Sequence, residues 1–137
     1  MQKSELAGDM LQPCSVPAEA TAGNADSFVL FRADRAIKVT AVYWTPNAAV
    51  TGANTNNFAL GVVNKGAAGS GTTAVTTVKT YASGTNSAAN VAETFTLSST
   101  AADLNLAAGD VLALARTVNG TGLASPAGVV NVHYQYR

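Results

Sequence analysis

From Ser27 to the C-terminus, runs rich in Val, Thr and aromatic residues alternate with clusters of Gly, Asn, Ser and Pro. Seven runs, 27–32, 36–45, 57–64, 73–81, 91–98, 111–118 and 129–136, have the length and β-branched content of strands. The last is the most regular. Val130, Val132, Tyr134 and Tyr136 share one face, while Val129, Asn131, His133, Gln135 and Arg137 share the other. One apolar and one largely polar face is the pattern of an antiparallel sheet. The intervening clusters carry turn chemistry. Gly109 suits a left-handed position ahead of Asp110, and Asn119-Gly120-Thr121-Gly122 supplies residues that accept positive φ. No segment after residue 26 holds a helical period. The expected fold class is all-β: an antiparallel two-sheet β-sandwich of seven to eight strands with jelly-roll-like connections.

The first 26 residues read differently. Lys3 stands against Glu5, Asp9, Glu19 and Asp26, a net of −3, whereas 27–137 carries seven basic and four acidic residues, a net of +3. Pro13 and Pro17 interrupt the segment, and Ser4 to Leu11 has room only for weak helical turns. Two units are therefore expected: an irregular arm over 1–26, extended or flexible, and a sandwich body over 27–137. Leu6, Met10 and Leu11 are the apolar residues with which such an arm would order against a neighbour. No cationic start leads into an apolar stretch, so the arm does not read as a secretory signal.

Composition narrows the function classes. The 137 residues carry eight basic and eight acidic side chains, without the basic excess of a nucleic-acid binder, and no apolar run is long enough to span a membrane. Alanine supplies 27 of the apolar residues, and Leu, Ile, Val and Phe together only 30, which points to a thin core that gains from oligomerisation. The single Cys14 forms no disulfide within the chain.

Catalytic patterns are not legible. His133 alternates with Asn131 and Gln135 on a polar face, and no Gly-x-Ser-x-Gly elbow precedes a helix. Carboxylate chemistry would have to come from Asp34, Glu93, Asp103 and Asp110, of which the last two sit beside turns as local caps. Lys65-Gly66-Ala67-Ala68-Gly69 has the wrong order for a phosphate loop. The chain is expected to be no enzyme and to use no cofactor or metal. Trp44 poses a register question. Ile37, Val39, Ala41 and Tyr43 alternate with Lys38, Thr40, Val42 and Trp44, so the second face begins polar and ends apolar. Either a bulge swaps the register near Ala41, or Val42 and Trp44 pack under the following loop or on another subunit. An aromatic platform for sugar stacking is a further alternative.

The order of Ile37-Lys38-Val39-Thr40-Ala41-Val42-Tyr43-Trp44-Thr45-Pro46, a Thr/Asn/Gly loop, Phe58-Ala59-Leu60-Gly61-Val62-Val63-Asn64-Lys65-Gly66 and, later, Ala108-Gly109-Asp110-Val111-Leu112-Ala113-Leu114 resembles small capsid decoration (cement) and head-fibre proteins of tailed bacteriophages. The resemblance extends over 27–137. It implies a non-enzymatic structural protein of the virion, a trimer that docks across capsomers on the outer capsid surface and has the major capsid protein as partner. Synthesis in the host cytoplasm without a signal peptide, and no nucleic-acid or membrane partner, go with it. The residues leave a second reading, a carbohydrate- or receptor-binding sandwich with Tyr43 and Trp44 as platform. Interface candidates are thus Leu6, Met10, Leu11, Val42 and Trp44.

Overall fold

The computed structural model describes residues 8–137. Ten strands form: β1 (Met10–Val16), β2 (Asp26–Arg32), β3 (Ile37–Pro46), β4 (Asn57–Asn64), β5 (Thr73–Ala74), β6 (Lys79–Thr80), β7 (Glu93–Phe95), β8 (Asn105–Leu106), β9 (Val111–Asn119) and β10 (Gly128–Tyr136). All pairings are antiparallel and they nest along the chain. β1 pairs β10, β2 pairs β9, β3 pairs β7 and β8, and β4 pairs β5 and β6. Two sheets result, β1-β10-β3-β7 with β8 beside β3, and β2-β9-β4-β5 with β6 beside β4. This is a jelly roll, an all-β sandwich of two antiparallel sheets.

Two expectations change. The sandwich begins at Met10 and not at Ser27, because Met10–Val16 pairs residue for residue with Tyr134–Gly128. Met10, Gln12, Cys14 and Val16 turn inward and Leu11, Pro13 and Ser15 outward, the alternation of a half-buried strand. Pro13 argues against a central strand but is admissible on an edge, where its missing N–H costs no ladder bond. The strand count also rises from seven or eight to ten. The runs 73–81 and 91–98 yield only short strands, and Asn105–Leu106 adds one that no run announced.

The edges explain how a two-sheet body stays discrete. One edge of each sheet is broken into pieces of two or three residues, β7 with β8 and β5 with β6. The opposite edges are β1, which carries Pro13, and β2, which bulges between Val29 and Phe31. Short edges, proline and bulges each discourage pairing with a foreign strand.

A second bulge settles the register of β3. Pairing with β10 shifts between His133 and Tyr134, leaving Thr40 as the extra residue between Val39 and Ala41. Ile37 and Val39 therefore point inward before it, and Val42, Trp44 and Pro46 after it. Trp44 is 1% exposed and Val42 fully enclosed. Gly128 accommodates the indole: a methyl group there would stand 2.6 Å from Trp44 Cη2 and against the Thr45 carbonyl. The core extends from Val16 through Phe58, Leu60 and Tyr81 to Leu112, Leu114 and Val132. The exposed surface is 6852 Å², close to the ~6,600 Å² that scaling gives for a monomeric protein of this mass. Burial within one chain is therefore ordinary despite the abundance of alanine.

Glu93 joins the sheets at one side. Lys79 Nζ donates to its Oε2 at 2.6 Å and the Tyr81 hydroxyl donates to the same oxygen at 2.9 Å. Burial, followed by the Glu93 charge, pushes the Tyr81 phenol far above its ordinary range, so it remains a donor.

Candidate functional site

The outer face of the first sheet is a grid fixed by strand register. Leu11, His133 and Ala41 form one row; Pro13, Asn131, Tyr43 and Thr94 the next; Ser15, Val129 and Thr45 the third. None of these ten side chains is acidic, Lys or Arg. The nearest charges stand at one end, where Lys38 pairs with Gln135 and Asp9 Oδ1 accepts from the Thr40 hydroxyl at 3.1 Å. Leu11 is a large apolar residue and 54% exposed. The His133 and Tyr43 rings meet edge to face at 5.5 Å between centroids. With strands ~4.8 Å apart and ~6.8 Å between like-facing residues, three rows on three strands span roughly 300 Å².

The proposed interface residues separate under this geometry. Leu11 lies on the face, whereas Met10 turns inward at the sheet edge. Leu6 lies outside the described residues. Val42 and Trp44 do not reach the surface of the subunit: the bulge at Thr40 rotates both into the core. The Tyr43–Trp44 sugar platform fails for the same reason, since neighbours on a strand face opposite sides.

The candidate chemical groups are tied locally. Asp103 accepts from Ser98 Oγ at 2.8 Å, and Asp110 accepts from Asn64 Nδ2 and the Ala107 N–H, each at 2.9 Å. Among the described residues, no group of three or more His, Cys, Asp and Glu is placed to hold a metal ion. Cys14 is buried in β1, and burial pushes its thiol up to about 11, which keeps it protonated and unreactive at neutral pH.

Arg116 was not singled out by the sequence, yet it is the largest buried charge. Leu112, Leu114 and Arg116 share the inward set of β9, and Arg116 is 1% exposed. Its Nε donates to Ser125 Oγ at 3.0 Å, Nη1 donates to the Asn24 carbonyl, and Nη2 donates to the carbonyls of Leu123 and Ala22. The guanidinium also lies 5.1 Å from the Phe58 ring centroid. It thereby holds the β1–β2 connection against the β9–β10 loop. Gly122, at φ +76°, lets that loop approach the Ala22 carbonyl more closely than a side chain would permit.

Glu19 and Asp26 lie beside Arg116. Among the described residues Asp26 Oδ2 is buried and receives no hydrogen bond, and the neighbouring Glu19 carboxylate favours its protonated form. Contact between the two carboxyl groups, with burial and the Glu19 charge, pushes Asp26 up; the same contact first, with the Thr21 N–H, pushes Glu19 down. The signs oppose. The Asp26 contribution is present at low pH and lost as pH rises through its folded titration, whereas that of Glu19 is lost as pH falls through its own. Asp26→Asn retains a donor at every pH. Its melting temperature is expected to fall less than the parent's as pH rises above the ordinary aspartate range, read by circular dichroism; parallel curves would contradict the raised Asp26 titration.

A cleft missed by the sequence reading opens at one end, between β1 and β2, with a volume of ≈ 240 Å³. Phe31, Tyr134 and Tyr136 wall it, Ile37 lies at its base, and Gln12, Arg32, Ala33 and Asp34 complete the lining. Phe31 and Tyr134 stack at 5.9 Å, Tyr134 and Tyr136 meet edge to face at 5.7 Å, and the Arg35 guanidinium lies 5.7 Å from the Tyr136 ring centroid. The available signal was Gln12, a polar residue in the inward set of Met10, Cys14 and Val16.

No family model matches this chain, and no curated protein matches it. Among solved structures it is similar to a chain in the structure of infectious bursal disease virus, Gx strain, at 10% identity and a TM-score of 0.47. The match covers 95% of this chain and 33% of that one, so this chain spans about a third of its length. No residue role is carried across at this level of likeness.

Proposed function

We propose that the chain is a non-enzymatic structural protein of a phage virion, which decorates the outer capsid surface and stabilises it by docking across capsomers. The observation that carries this reading is the uncharged outer face of the first sheet. A face with no fixed charge at its centre is covered without desolvating ions, which favours docking on protein. Jelly rolls serve both capsid and lectin domains, so the fold alone does not choose between them. The sequence resemblance supplies the choice of capsid, the trimer and the major capsid protein as partner. A face of roughly 300 Å² lies well below the ~800 Å² per partner of a stable interface, so a tight grip requires several subunits acting together.

Undecorated shells of the encoding virus provide the test. The parent chain is expected to co-sediment with them to saturation. Leu11→Lys is expected to keep the parental melting temperature, because Leu11 is exposed, and to weaken binding about tenfold or more by setting a charge in the contact. Absence of co-sedimentation by the parent would overturn the function. Unchanged binding by the variant would remove the first sheet's outer face from the contact.

A further inference from the structure

We propose that the cleft between β1 and β2 is a binding site for a single neutral sugar ring, separate from the outer face of the first sheet. The lining selects the ligand. Three aromatic rings and the buried Ile37 offer an apolar wall to the C–H face of a pyranose. Around them stand three polar groups of different kinds: the Asp34 carboxylate only accepts hydrogen bonds, the Arg35 guanidinium, 5.7 Å from the Tyr136 ring centroid, only donates, and the Gln12 amide does both. Vicinal hydroxyls, which donate and accept at adjacent positions, match that set.

The electrostatics disfavour other ligands. Arg35 and Asp34 contribute one charge of each sign, while the Arg32 guanidinium lies against Gly109, so the rim has no excess to attract a phosphate or an ammonium group. Neither Arg35 nor Asp34 makes an ion pair among the described residues, where Lys79–Glu93 is the pair formed. Both side chains are exposed, and among the described residues the Gln12 amide is bonded only to the adjacent Pro13 carbonyl. A volume of ≈ 240 Å³ falls below the range that encloses drug-sized ligands, which leaves room for about one ring. The cleft opens between the sheets and the docking grid lies outside the first sheet, so one can be occupied without the other. This inference does not depend on the proposed capsid role.

The test is an amide-resolved NMR titration of the intact chain with the methyl glycosides of glucose, galactose, mannose and N-acetylglucosamine. At least one is expected to shift the amides of Gln12, Phe31 to Asp34 and Tyr134 to Tyr136, with a dissociation constant in the millimolar range expected of so small a ligand. Asp34→Asn, at an exposed turn position, and Tyr136→Leu are each expected to weaken that binding about tenfold. Both should retain the parent's amide dispersion elsewhere, and Leu11→Lys should bind as the parent does. The inference is overturned if no glycoside moves these amides, if the shifts centre on Tyr43 and His133, or if either cleft variant keeps the parental affinity.

Discussion

Trp44→Ala is expected to cost about 3–5 kcal/mol of stability, the range for removing a large aromatic from a packed core. For a domain of this size that lowers the melting temperature by about 10–20 °C and removes much of a total of about 5–15 kcal/mol. The argument is geometric. Trp44 is 1% exposed, sits in the same sheet as Val42 and Val130, and packs against Gly128, whose missing side chain leaves space for the indole. Collapse of the vacated space is limited because the surrounding strands are held by pairing on both sides of β3. The control is its neighbour. Tyr43→Ala, on the outer face, is expected to cost about 1 kcal/mol, typical of a half-buried position. Denaturant melts of the two variants should separate clearly, and a Trp44 variant as stable as Tyr43→Ala would contradict the bulged register of β3.

Arg116→Ala is expected to be as damaging, about 3–5 kcal/mol, by a different route. Removing the guanidinium leaves the carbonyls of Ala22, Asn24 and Leu123 without their donor in a buried place. Arg116→Lys is not expected to rescue it, because one ammonium cannot satisfy a fork of acceptors spread over two loops. The damage should also be local before it is global. Hydrogen exchange in the Arg116→Ala protein is expected to quicken first in the β1–β2 connection and the β9–β10 loop, with the centre of β4 protected until global unfolding. Uniform quickening across β4, β9 and β10 would show that Arg116 supports the whole sandwich and not this junction.

Period-two alternation carried most of the fold. It identified β10 with both of its faces, placed β3 and offered a bulge near Ala41 as one answer to its conflicting faces. It failed at β1, where Pro13 and a polar, small-residue neighbourhood look like an arm although Met10, Gln12, Cys14 and Val16 alternate inward. The missing information was tertiary: β1 becomes a strand because the last strand lies beside it. Arg116 was hidden by composition, counted as one basic residue among eight, while its place after Leu112 and Leu114 on the inward set was legible. The outer face was visible only in part. Leu11 was named as an apolar contact of an arm, whereas its rows with His133, Ala41 and Tyr43 depend on register between strands far apart in sequence.

Affinity through multiplicity is the centre of the functional account, since one small uncharged face cannot hold a shell alone. The direct measurement is the mass of the free protein by light scattering at micromolar concentration. A trimer of about 41 kDa, three copies of the 13.8 kDa chain, is the expected result. A particle that remains at 13.8 kDa across that range would contradict the account, leaving each subunit with a single face too small for stable docking.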